Sequence, residues 1–140
     1  EEAVNRLDEL LRRANNEYLR LSALYHKAET LYGMGRSLQA VEVARAAIKA
    51  HVDTEKAQAL KNAARLVLAK SLRAAAEFQP QAEAARSRAQ AIQVAKDLAN
   101  VGGKWGTLAY QLIADWGATV TLEDPALAKY AQGENLYRKG

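Results

Sequence analysis

Small residues at helical spacing between Ala28 and Leu60 constrain the fold of this chain most. The stretch reads AETLYGMGRSLQAVEVARAAIKAHVDTEKAQAL, and its small and larger apolar residues recur with a period near 3.6. Gly33 and Gly35 interrupt the pattern, and glycine adopts the backbone conformations that a tight turn needs. The stretch therefore predicts two helices that are joined by a tight turn and that approach each other closely.

Alanine dominates the composition and favours the same kind of fold. About a fifth of the 140 residues are alanine, and 49% of the residues are hydrophobic. Alanine is the best helix former, whereas strands prefer branched and aromatic residues. A chain of this length forms one domain or a short repeat array. The composition therefore predicts an all-α fold with closely spaced helices.

Residues 3–32 carry an apolar seam in which the spacing alternates between three and four residues. Its members are Val4, Leu7, Leu11, Ala14, Tyr18, Leu21, Tyr25, Ala28 and Tyr32. Such a seam predicts one long helix of the coiled-coil type. Asn15 and Asn16 lie in its middle, and asparagine favours caps and turns over helix interiors. One long helix and two helices broken near Asn15 remain open alternatives.

Five further helices follow from the same periodicity, over about 38–51, 55–78, 82–99, 104–117 and 125–138, with a loop over 119–123. Ser37 is expected to cap the first of them and Asp53 or Thr54 the second, because their side-chain oxygens accept from free N–H groups. Pro80 is expected to end the helix before it, and the Gly102-Gly103 pair the next one.

The segment from Gly35 to Ala40, followed by Ala47-Ile48, resembles the most characteristic stretch of a tetratricopeptide repeat. In that family a glycine closes the first helix of a pair, and an alanine five residues later opens the contact face of the second. Ala28 matches the small residue where the two helices cross. The copies here are spaced more widely than the standard 34 residues, so the resemblance is to a degenerate, longer-repeat branch. It covers residues 21–118.

The resemblance implies a single helical-repeat domain over 1–140, with approximate repeats at 21–54, 57–100 and 105–138. Its antiparallel helical hairpins would stack side by side as a short α-solenoid. The alternative is an alanine-rich helical bundle in which residues 3–32 form one long coiled-coil helix.

The resemblance also implies a binding groove lined by the first helix of each pair. Carried over residue by residue, the partner-binding residues are Tyr25, Glu29, Tyr32, Lys61, Arg65 and Trp116. Lys61 and Arg65 lie one turn apart, which favours an acidic protein or peptide partner. Both are expected at the surface, so reversing both charges should leave stability nearly unchanged. Tyr25 and Tyr32 also lie on the seam, so a core role stays open for them.

Other kinds of chemistry find little support in the sequence. The two histidines, His26 and His51, lie in different predicted helices, and there is no cysteine. No metal, cofactor or catalytic site is therefore expected, and the chain is not expected to be an enzyme. The formal charge is +4, but acidic residues are interspersed with the basic ones, and nucleic-acid binding is not expected. No apolar run reaches the ~20 residues that span a bilayer.

The sequence thus favours a non-catalytic adaptor that binds another protein. Two alternatives stay open: a structural module that forms a homodimer through its N-terminal helix, and an accessory helical domain of a larger signalling protein or enzyme. The sequence leaves the compartment open, with the cytoplasm slightly favoured.

Overall fold

A computed structural model describes residues 1–117, and these residues form an all-α fold without strands, as the sequence predicts. The helices are α1 (Glu2–Arg13), α2 (Glu17–Gly33), α3 (Ser37–Ile48), α4 (Glu55–Ala75), a short 3₁₀ turn (Ala76–Phe78), α5 (Gln81–Val101) and α6 (Gly103–Asp115). The helix predicted over 125–138, the loop over 119–123 and most of the third repeat lie outside the described residues.

The chain divides into two compact units, Glu1–Ala91 and Ile92–Gly140. The first unit contains α1 to α4 and the beginning of α5. The second contains the rest of α5 and all of α6. A single domain over 1–140 stays a prediction.

The apolar seam of residues 3–32 is split between two helices, so the long-helix alternative is wrong. Asn16 is extended, with φ −138° and ψ 155°, and its side chain accepts a hydrogen bond of 2.8 Å from the N–H of Leu19. This cap starts a new helix in the middle of the seam. α1 and α2 pack against each other, and Lys27 Nζ lies 2.6 Å from Asp8 Oδ1 across them.

A three-residue connection joins α2 to α3. The N–H of Gly35 donates to the carbonyl of Tyr32 at 3.0 Å, and that of Arg36 to the carbonyl of Leu31 at 2.9 Å. This pair of bonds is a Schellman motif, and Gly35 takes the left-handed conformation that it requires, with φ +79°. α3 begins one residue earlier than predicted. Ser37 is its first residue, and Arg36 occupies the N-cap position without a side-chain bond.

α4 packs against both α2 and α3. Thr54 caps it as predicted, accepting a hydrogen bond of 3.2 Å from the N–H of Ala57. From Lys61 onward nearly every side chain of α4 is buried or half-buried, as expected for a helix enclosed by neighbours. The segment ends where predicted, with Gln79 extended before Pro80.

The small residues of the opening stretch lie where the helices touch. Ala28, Ala40, Ala44 and Ala47 are all fully buried. A first core cluster consists of Leu21, Ala47, Ala57 and Ala64. A second core cluster consists of Val4, Leu31 and Ala40. The prediction of close helix contacts at small residues is confirmed for Ala40 and Ala47, each of which shares a cluster with a leucine of α2.

The second unit is described through α5 and α6. Gly102 separates the two helices with φ +82°, which is the glycine stop that the sequence predicts. Gly106, Ala109 and Ile113 are the buried residues of α6. Lys104 Nζ lies 4.8 Å from the centre of the Trp105 ring. None of the helices within residues 1–117 combines the length and apolar character needed to cross a membrane.

Candidate protein-binding surface

Three of the predicted partner-binding residues lie on α2, at positions i, i+4 and i+7 of one face. Glu29 is exposed, and Tyr25 and Tyr32 are half-buried. Tyr25 packs against the first core cluster and Tyr32 against the second. Each tyrosine therefore contributes to helix packing and still presents part of its side chain to solvent.

Tyr25 and Glu29 form a hydrogen-bonded pair on this face. The hydroxyl of Tyr25 donates to Oε2 of Glu29 at 2.7 Å. Burial raises the pKa of Tyr25 to about 12, and the hydrogen bond and negative charge of Glu29 add to the effect. All three causes favour the neutral phenol, because an ionised phenolate would be desolvated and would face a carboxylate.

The raised pKa of Tyr25 predicts a loss of stability in alkali. An unfolded tyrosine ionises near pH ~10, whereas the folded pKa is about 12. The contribution of Tyr25 is therefore complete below pH ~10 and is lost as the pH rises toward the folded value. Urea unfolding of the wild type and Tyr25→Phe should show a stability difference that shrinks across this range. A difference that does not change with pH would contradict the prediction.

Lys61 does not lie at the surface, and the expectation that it does is wrong. The residue is 6% exposed, because this part of α4 is enclosed by its neighbours. Its Nζ lies 3.3 Å from Oδ1 of Asp53, whose own side chain is 82% exposed. Asp53 also accepts a hydrogen bond from Gln58 at 3.2 Å. The buried cation is thus held by a carboxylate at the surface, an arrangement that the helical periodicity of the sequence does not reveal.

The other two predicted residues differ in their surroundings. Arg65 is half-buried, and its Nη1 donates to Oδ1 of Asn62 at 2.7 Å. Trp116 is also half-buried and directly follows α6. It belongs to the second unit, whereas the other five residues belong to the first. A partner-binding role for the six stays a prediction.

A groove between α1 and α2 is lined by leucines that were not among the predicted partner-binding residues. This α1–α2 groove has a volume of about 310 Å³ and is lined by Leu7, Leu10, Arg13, Ala14, Leu19, Ser22, Ala23 and His26. Leu10 is 56% exposed and Leu19 is 52% exposed. Both leucines lie outside the apolar seam of residues 3–32. An apolar residue that lies off the seam is the feature of the sequence from which their exposure could have been predicted.

A second groove lies beside the first turn of α3. This α3 groove, also about 310 Å³, is lined by Gly35, Arg36, Ser37, Leu38, Gln39, Ala75 and Phe78. Phe78 is the chain's only phenylalanine, and it is 79% exposed, while Leu38 is 55% exposed. Phe78 directly precedes Gln79 and Pro80, where the helical segment ends. An apolar side chain at the end of a helix has few neighbouring helical residues to pack against, and this position is the feature of the sequence that could have indicated its exposure.

Neither a search for metal-binding clusters nor comparison with known proteins points to a further functional site. Within residues 1–117, no group of three or more histidine, aspartate or glutamate side chains is placed to hold a metal ion. Comparisons with protein-family models, with characterised proteins and with solved structures gave no match. The tetratricopeptide resemblance therefore rests on the residues quoted for it and stays a prediction.

Proposed function

We propose that this chain is a non-catalytic protein–protein interaction module of the tetratricopeptide-like kind. The observation that carries the proposal is the order of helix contacts: α2 packs against both α3 and α4, and α3 packs against α4. In the predicted repeats, α2 is the first helix of one pair and α4 is the first helix of the next. In stacked helical hairpins, the first helices of successive pairs pack against each other, as α2 and α4 do here. Such stacks bind partners along the surface that these first helices share.

The chemistry of α2 and α4 suits an acidic protein or peptide partner. Tyr25 and Tyr32 are held by the core clusters, so their rings are ordered before a partner arrives. Ordered aromatic side chains and arginine contribute strongly to binding energy at interfaces. Because Lys61 is buried and paired with Asp53, the cation that would meet a partner's carboxylate on α4 is Arg65. Arginine binds carboxylates through two parallel hydrogen bonds.

A charge exchange on this surface tests the proposal. The groove variant combines Glu29→Lys with Arg65→Glu, and the matched control combines Glu42→Lys with Arg88→Glu on exposed positions of α3 and α5. Both variants keep the net charge of the wild type. Immobilised wild type, variant and control are incubated with the same native lysate, and the retained proteins are identified.

We expect the control to retain the partners of the wild type and the groove variant to lose them. Helical circular dichroism of each variant verifies that the fold is kept. If the groove variant retains the same partners to the same extent as the control, the surface of α2 and α4 is not the binding surface.

A further inference from the structure

α1 is held to the first unit by few buried contacts. Val4 is its one buried residue, whereas α2 has four buried residues and α4 has eleven. Among α2, α3 and α4, only α2 packs along α1. A segment with few buried apolar contacts opens at a lower free energy than the core does. α1 can therefore detach while α2, α3 and α4 stay packed.

One face of α1 makes the contact that holds it. Glu1, Val4 and Asp8 are spaced by three and four residues, so they lie on the same side of the helix. Val4 packs in the second core cluster with Leu31 and Ala40. The contact face of α1 thus consists of an apolar residue with an acidic residue on either side of it.

Both acidic residues of this face meet a cation. Oε2 of Glu1 lies 2.7 Å from Nη2 of Arg36, and Oδ1 of Asp8 lies 2.6 Å from Nζ of Lys27. The surface beneath α1, which consists of Lys27, Leu31, Arg36 and Ala40, is therefore apolar in its middle and basic at both ends. Because ion pairs near the surface contribute little to stability, their complementary order specifies which helix docks there.

The surface beneath α1 is separate from the proposed partner-binding surface. Lys27 lies two residues from both Tyr25 and Glu29, and helix positions two residues apart point to different sides. Neither Glu29 nor Arg65 takes part in the contact with α1. Binding at one surface can therefore fail while binding at the other holds.

We propose that the surface beneath α1 is a docking site for an acidic amphipathic helix of a partner protein, and that α1 is a detachable helix that occupies this site until the partner's helix replaces it. The partner's helix repeats the order of α1, with an apolar residue between two carboxylates. Because a helix of 12 residues is marginal by itself, α1 loses its helical structure on release and stays tethered to α2.

Hydrogen exchange of the 140-residue chain tests whether α1 detaches. Its amides should exchange at least about tenfold faster than those of the middle of α4, because α1 opens without the rest. Val4→Asp places a carboxylate in the second core cluster and should abolish the protection of α1, while α3 and α4 keep theirs. Ala3→Asp is the matched control, since Ala3 is an exposed neighbour in the same helix. It should exchange like the wild type.

A charge exchange tests recognition by the ion pairs without altering the second core cluster. Asp8→Lys places an ammonium beside Lys27, and Lys27→Glu places a carboxylate beside Asp8, so each should lower the protection of α1. The double variant restores an ion pair in the reverse sense. It should regain the protection that each single variant loses, which a general loss of folding could not produce.

A peptide with the sequence of residues 1–14, labelled at its C-terminus with a fluorophore, is the probe for the docking site. Fluorescence anisotropy should show that it binds the Val4→Asp chain at least about tenfold more tightly than the wild type, in which tethered α1 competes. Adding Lys27→Glu to that chain should weaken binding. The peptide that itself carries Val4→Asp is the control and should not bind.

Either of two results would overturn the proposal. If the amides of α1 and α4 exchange at the same rate in the wild type, α1 opens only when the whole unit unfolds and is not detachable. If the peptide binds the wild type and the Val4→Asp chain equally, or binds neither of them, the surface beneath α1 is not a docking site.

Discussion

Replacing Lys61 with glutamate is expected to lower the free energy of unfolding by about 3–5 kcal/mol. Lys61 is 6% exposed, and its ammonium lies 3.3 Å from the carboxylate of Asp53. Glutamate at this position would bury a carboxylate without a cation and place it beside Asp53. Burial of an unpaired charge is among the most costly changes that a single substitution can make.

Two other substitutions separate the effect of the charge from the effect of side-chain size. Lys61→Met keeps the apolar stem and removes the charge, so it should change stability little. Arg65→Glu lies one turn later on a half-buried position and removes one hydrogen bond to Asn62, with an expected loss of about 1 kcal/mol. Urea unfolding followed by circular dichroism measures all three. Equal stability of Lys61→Glu and Lys61→Met would show that position 61 is open to solvent.

The burial of Lys61 changes how the binding surface is to be tested. The sequence led us to expect that reversing Lys61 and Arg65 together would leave stability nearly unchanged. With Lys61 enclosed, that double variant would destabilise the first unit, so a loss of binding would not separate a lost contact from a lost fold. The exposed and half-buried positions, Glu29 and Arg65, provide a charge exchange that leaves the core intact.

Local signals allowed the helices of the first unit to be predicted from the sequence. The segment predicted over 55–78 is α4 followed by the 3₁₀ turn that ends at Phe78. Its start depends on Thr54, whose hydroxyl accepts from the N–H of Ala57. Its end depends on Pro80, which disfavours a helical conformation of Gln79. The break at Asn16 is equally local, since it comes from one side chain and the N–H of Leu19. The sequence left it open because the apolar seam continues across it.

Features that depend on neighbouring helices could not be predicted in this way. Periodicity shows which residues share a face of a helix, but it does not show how many faces are covered. α4 has neighbours on more than one side, so Lys61 and Asn62 are buried together with Ala63 and Ala64. The exposed Leu10 shows the opposite case, an apolar residue on a face of α1 that α2 leaves uncovered.

Enlarging Ala40 to leucine is expected to cost about 1–3 kcal/mol, because three added carbon atoms must fit into a closed helix crossing. Ala40 is fully buried in the second core cluster with Val4 and Leu31. Tyr32 and Val43 pack around the same cluster. Ala46→Leu is the matched control, since Ala46 is an exposed residue of the same helix. It should change stability by no more than about 0.5 kcal/mol.

A second substitution in the second core cluster distinguishes overpacking from a general defect in α3. Leu31 is 2% exposed and lies in that cluster with Ala40, so Leu31→Ala alone should destabilise the chain by leaving a cavity. Combined with Ala40→Leu it restores the total side-chain volume, and the double variant should lose less stability than the two single losses added together. Urea unfolding of the four proteins gives the coupling. Strictly additive losses would mean that the two side chains do not share one packing space, and that α2 and α3 do not cross at Ala40.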